Sequence, residues 1–110
     1  MRIVTWNVNS LPSRMPRMRV WLQVMKPDVV CLQETKIPDA QFPYEELAEL
    51  GYEAVHRGDG RWNGVAILSR VGIERPVTDL PGVPGFPEDS GPPEPRFVAA
   101  VCGGVHVACV

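Results

Sequence analysis

Apolar and polar residues alternate along residues 2–9, where Ile3, Thr5, Asn7 and Asn9 fall on one face and Val4, Trp6 and Val8 on the other. The β-branched residues and the tryptophan favour a strand, and both asparagines point the same way at its C-terminal end. The period changes after Leu11-Pro12-Ser13. From residue 14 to 26, Met15, Met18, Trp21, Leu22 and Met25 recur at helical spacing, and Ser13 is the expected cap. Pro16 is expected in the first turn, where a missing N–H is tolerated, and Pro27 ends the helix. Lys26 in the last turn suits the helix dipole. Residues 28–33 are apolar on both faces until Gln33, as in a strand covered on two sides. Strand, helix and strand in this order predict a βαβ unit, with two parallel strands joined by a right-handed crossover.

Farther along, residues 43–50 predict a short helix closed by Gly51. Residues 52–57 and 64–69 predict strands separated by a turn at Gly58-Asp59-Gly60. Residues 76–95 hold seven of the twelve prolines and predict an exposed irregular loop. Residues 97–102 and 105–110 predict a hairpin turning at Gly103-Gly104. The fold class is therefore α/β. The chain stops inside an apolar strand pattern, and an unpaired apolar edge is a poor way to finish a domain. The expectation is that residues 1–110 are the N-terminal part of one longer domain.

A length of 110 residues suits one small domain rather than two. The net charge of −2 and pI near 5.6 provide no overall basic field for nucleic acid. The charge is uneven, however. Residues 1–27 carry Arg2, Arg14, Arg17, Arg19 and Lys26 without an acid, so a polyanion contact would be local to that stretch. No apolar run approaches the 18 residues of a membrane span, and no secretory signal is visible. Cys31, Cys102 and Cys109 lack CxxC spacing and sit among apolar residues. They read as buried reduced thiols in a cytoplasmic protein.

Asn7 and Glu34 come from the C-terminal ends of the two strands expected to be neighbours, where open α/β folds place their sites. An amide oxygen and a carboxylate are hard ligands, suited to Mg²⁺ or Mn²⁺ rather than zinc. The same residues also admit a plainer arrangement, with Glu34 paired to Lys36 or Arg14 and Asn7 capping a loop. Lys36 would either hold Glu34 or touch a phosphate. His56 and His106 are the two histidines, and both read more readily as packing or surface residues than as a base. No Ser-His-Asp or Cys-His arrangement can be assigned.

The string Pro27-Asp28-Val29-Val30-Cys31-Leu32-Gln33-Glu34-Thr35-Lys36 resembles the first signature of the exonuclease III family of apurinic/apyrimidinic endonucleases. Thr5-Trp6-Asn7-Val8-Asn9-Ser10-Leu11, Gly51-Tyr52 and Asn63-Gly64-Val65-Ala66-Ile67-Leu68-Ser69 resemble further family segments in the right order. The resemblance implies the N-terminal half of a four-layer α/β sandwich, the endonuclease/exonuclease/phosphatase fold. It implies a Mg²⁺- or Mn²⁺-dependent DNA-repair phosphodiesterase. Such an enzyme incises double-stranded DNA 5′ to abasic sites, trims 3′ ends and acts as a monomer when complete. By matching position, Glu34 would be the metal carboxylate and Asn7 a metal or metal-water ligand. Lys36 would support the phosphate side, and Asn9 would be a weaker polar neighbour of the metal.

The family's later tyrosine, Asp-x-Asn motif and terminal Asp-His pair have no counterpart here, so no catalytic residue is assignable within the chain. The isolated 110 residues are accordingly expected to be inactive and poorly soluble. Two other readings stay open: an inert fragment, or a branch of the same fold acting on phospholipid or inositol phosphate esters. The Gln-Glu-Thr-Lys string favours the DNA branch.

Overall fold

Two-sided burial decides the architecture. The computed structural model describes residues 1–78 and 96–110. Strand β1 (Ile3–Asn7) and strand β2 (Val29–Gln33) pair in parallel, with Ile3 opposite Val29 and Asn7 opposite Gln33. Helix α1 (Leu11–Met25) joins them, which completes the expected βαβ unit. A short 3₁₀ turn, Asp39–Gln41, leads to helix α2 (Tyr44–Glu49), and the chain then enters strand β3 (Glu53–Arg57). Strand β4 (Val65–Ser69) inserts antiparallel between β2 and β3, giving a four-stranded sheet in the order β1-β2-β4-β3. A second, three-stranded sheet has the order β5-β6-β7, from β5 (Glu74–Val77), β6 (Val98–Cys102) and β7 (Val105–Cys109).

The side-chain alternation of β2 and β4 divides the core in two. Val30, Leu32, Ala66 and Leu68 pack with Leu11, Met15, Met18 and Leu22 of α1 and Leu47 of α2. Val29, Cys31, Val65 and Ile67 face the other way, onto Val98, Ala100, Cys102, Val107 and Cys109 of the second sheet. The layers are therefore helices, sheet and sheet, three of the four in the expected sandwich. Burying a leucine or isoleucine completely is worth about 1.5–3 kcal/mol, so these doubly covered strands anchor the molecule. All three cysteines are buried and free, as their apolar settings suggest. The neighbouring Cys109 sulfur and burial push the Cys31 thiol upward, away from the reactive thiolate.

Several local expectations change. Helix α1 begins at Leu11, not after Ser13. Ser10 occupies the cap position at φ 90° and makes no side-chain capping bond, because its Oγ instead meets Ser13 Oγ at 3.1 Å. Pro12 takes the tolerant early position, which leaves Pro16 in the second turn rather than the first. Met25, the last residue of α1, is 47% exposed although the period places it with the buried residues. Asn9 lies beyond the end of β1 with φ 43°, so strand periodicity does not set its direction. Glu74–Val77 form a strand where Pro76 and Val77 were assigned to the loop. All four residues of β5 are exposed and its pairing with β6 is irregular, which explains how an edge strand accommodates a proline. The rest of that expected loop, residues 79–95, lies outside the described residues. No described helix is long and apolar enough to cross a membrane.

Candidate active site

Parallel pairing of β1 and β2 brings both chains out at the same end of the sheet, and the ladder continues past the strands. Val8 N–H donates to Gln33 O at 3.0 Å, Ser10 N–H to Glu34 O at 2.9 Å and Leu11 N–H to Thr35 O at 2.9 Å. On its other side the same segment meets the loop before β4, where Thr35 N–H donates to Gly64 O at 3.1 Å and Lys36 N–H to Asn63 O at 2.8 Å. Residues 34–36 are thus held from both flanks. Glu34 and Lys36 adopt left-handed backbone angles, φ 54° and 53°, on either side of Thr35. Such conformations cost non-glycine residues about 1–3 kcal/mol each and persist only where the surroundings impose them.

The backbone turn presents Glu34 and Lys36 outward and Thr35 inward. Asn7 Nδ2 donates to Glu34 Oε2, so the two residues expected to converge are in contact. Lys36 Nζ donates to Asn9 Oδ1 at 2.6 Å and lies 3.7 Å from Glu34 Oε1. The plainer Glu34–Lys36 ion pair is therefore present beside the Asn7 contact, although the ammonium sits closer to Asn9. Asn9 N–H in turn reaches Asn7 Oδ1 at 3.2 Å. These four polar residues form one connected group at the strand ends, with the Glu34 side chain 43% exposed.

The donor set fits a hard divalent ion. It offers one carboxylate and one amide, with open positions toward solvent, and Mg²⁺ commonly takes one or two carboxylates while keeping water in its other positions. The Asn7 amide now turns its N–H to the carboxylate. Turning its oxygen to a metal would mean giving up this bond and the one from Asn9 N–H to Oδ1. Among the described residues no cluster of three or more His, Cys, Asp or Glu side chains forms.

Beneath this surface group lies a second one that the sequence reading did not assemble. Thr35 is fully buried, and its Oγ1 lies 2.8 Å from His56 Nε2. His56 is 4% exposed and stacks on Phe42 with ring centroids 4.3 Å apart. Asp39 Oδ1 stands 2.8 Å from His56 Nδ1, without the alignment of a full hydrogen bond, and accepts Gly58 N–H at 2.9 Å. Burial pulls the His56 pKa below its ordinary value, against the opposing pull of Asp39. The alternation of β3 was the available signal, since it places Tyr52, Ala54 and His56 on the helix-facing side. Nothing local in the sequence indicated that Thr35 would be its partner. His106 is exposed on β7.

Comparison with known proteins identifies the family of the fold. The family model described as the Endonuclease/Exonuclease/phosphatase family matches residues 4–109. Exodeoxyribonuclease III of Haemophilus influenzae is 33% identical over 100 residues, which cover 91% of this chain and 35% of that protein. An AP endonuclease from Archaeoglobus fulgidus superposes with a TM-score of 0.85 at 36% identity, covering 98% of this chain and 39% of its own. The Neisseria 3′ phosphatase NExo (D146N), bound to product DNA hairpin, superposes with a TM-score of 0.86 at 38% identity, covering 98% and 40%. The chain therefore spans little more than a third of the relatives it matches. With the family match running from the first strand to the last, this chain belongs to the Endonuclease/Exonuclease/phosphatase family.

Proposed function

We propose that these residues form the metal-binding side of the active site of a DNA-repair phosphodiesterase of exodeoxyribonuclease III type. The enzyme would incise double-stranded DNA 5′ to abasic sites and trim 3′ ends, as a cytoplasmic monomer. The observation that carries the reading is the contact between Asn7 and Glu34 at the carboxyl ends of two parallel strands. The identities to Exodeoxyribonuclease III and to an AP endonuclease support the reaction class. The DNA-bound relative supports the substrate class.

Glu34 and Asn7 would hold Mg²⁺ or Mn²⁺, which as a Lewis acid stabilises charge on a phosphoryl oxygen by several kcal/mol. Lys36 keeps a positive charge beside the carboxylate, 3.7 Å from Oε1, while remaining available to a phosphate. Asn9 orients Lys36 through its side-chain oxygen and Asn7 through its backbone N–H. Arg14 and Arg17, on the helix that leaves the site, add local positive charge for gripping the DNA backbone without reading bases.

The test uses the complete enzyme and compares Glu34→Gln with the parent on an abasic duplex across Mg²⁺ concentrations. Loss of the carboxylate charge should lower the rate by about 10²-fold or more. An unchanged rate with unchanged Mg²⁺ dependence refutes the metal assignment. Intact DNA and an inositol phosphate serve as competing substrates. Faster turnover of the inositol phosphate would place the protein in a different branch of the family. Affinity for the abasic duplex should fall with salt, by a log–log slope of about −0.9 for each phosphate neutralised.

A further inference from the structure

We propose that His56 is a positioning residue for this site: through Thr35 it locks the left-handed Glu34-Thr35-Lys36 segment from inside, and so fixes where the Glu34 carboxylate stands. The inference rests on the metal reading of Glu34 and adds the residue that sets its geometry. Glu34 and Lys36 both have left-handed backbones, and the residue between them adds to its backbone bonds a buried side-chain contact, Thr35 Oγ1 to His56 Nε2 at 2.8 Å. The histidine is clamped in turn. Phe42 stacks on one face of its ring, and Asp39 lies 2.8 Å from Nδ1.

Two glycines leave the space this arrangement needs. A Cβ at Gly58 would stand 2.5 Å from His56 Cε1 and 2.9 Å from Nε2. A Cβ at Gly64 would stand 2.0 Å from Thr35 Oγ1. A neutral ring with Nδ1–H toward the Asp39 carboxylate leaves Nε2 to accept the Thr35 hydroxyl proton. Asp39 stays 48% exposed, so the chain from solvent to Glu34 runs Asp39, His56, Thr35 and then one peptide bond. Outer-shell partners of this kind orient metal ligands, and their loss typically costs 10–100-fold in metal affinity.

The experiment measures Mn²⁺ binding by electron paramagnetic resonance in the full chain, for the parent, Thr35→Val, Thr35→Ser, His56→Phe and Glu34→Gln. Thr35→Val and His56→Phe should each weaken Mn²⁺ binding by about 10–100-fold. Thr35→Ser, which restores the hydroxyl, should recover most of the affinity. A second readout needs no metal: amide hydrogen exchange at Thr35 and Lys36 should accelerate in Thr35→Val and His56→Phe more than exchange at Leu32 and Leu68. If His56→Phe does not fold, the Thr35→Val and Thr35→Ser pair decides the matter. Loss of binding in Glu34→Gln, with binding and amide protection unchanged in Thr35→Val and His56→Phe, overturns the positioning role and leaves the metal reading standing. Equal binding by the parent and Glu34→Gln overturns both.

Discussion

Gly64 has φ +100° and no room for a side chain, since a Cβ there would sit 2.0 Å from Thr35 Oγ1 and 3.3 Å from Lys36 N. Alanine would meet steric and conformational strain at once, and the displaced Thr35 hydroxyl would leave His56 Nε2 buried and unpaired. Gly64→Ala should therefore cost at least about 2 kcal/mol, measured by urea unfolding. Gly60→Ala is the control. Gly60 also has positive φ, 150°, but its Cβ would meet nothing within 4 Å. If the two substitutions cost the same, crowding against Thr35 is not what makes Gly64 special.

At the scale of elements, helix α1 docks through one narrow stripe. Leu11, Met15, Met18 and Leu22 are buried, whereas Val20 and Val24 are 60% and 72% exposed on the opposite side. Lys26 stops the helix in a left-handed conformation, with its N–H on Leu22 O at 3.1 Å, and Tyr52 Oη donates to Pro27 O at 2.6 Å. The C-terminal end of α1 is thereby tied to the entrance of β3. Leu22→Ala should cost about 2–5 kcal/mol, because a buried leucine leaves both lost transfer energy and a cavity. Met25→Ala should change stability by no more than about 0.5 kcal/mol, because Met25 is exposed at the helix end. Similar losses in the two variants would mean that the helical face has been assigned wrongly.

For the molecule as a whole, acid should weaken the fold in two separate windows. Burial holds the His56 pKa below its unfolded value near 6.5, so between those two values the unfolded chain binds the extra proton. Stability from this group is fully present above about pH 6.5 and declines as the pH falls toward the lower folded value. Asp28 acts in the same direction at lower pH, because the Arg2 N–H and the Arg70 guanidinium hold its carboxyl below 3.8. Urea unfolding at pH 7 and pH 5 should show the first loss in the parent and a smaller one in His56→Gln. An equal loss in both would assign it to another group.

Activity also belongs to the whole assembly. Phosphoryl transfer depends on positioning and electrostatics together, and the chain spans 35% and 40% of the lengths of two relatives it matches. Residues 1–110 expressed alone should leave an abasic duplex uncut with Mg²⁺ or Mn²⁺. They should also self-associate on size-exclusion chromatography, given that β1 is an edge strand among the described residues and that Val20, Val24 and Met25 are exposed. Cleavage by a monodisperse monomer would refute this.

The sequence alone determined what depends on local period and on short strings. Alternation in residues 2–9 and the two-sided apolar run before Gln33 were enough for the parallel pair, because side-chain direction follows directly from strand geometry. That pair places Asn7 and Glu34 at one end of the sheet, and the Gln-Glu-Thr-Lys string named the family. Tertiary structure decided what depends on contacts between distant segments. Strand β5 carries no apolar alternation, since an exposed edge strand needs none, and only its pairing with β6 reveals it. Met25 follows the helical period, yet as the last residue of α1 it is exposed. Thr35 and His56 are 21 residues apart, and each alone reads as an ordinary residue. They meet because β4 inserts between β2 and β3, bringing the loop at Gly64 against residues 34–36 and burying the Thr35 hydroxyl, which finds its partner in His56.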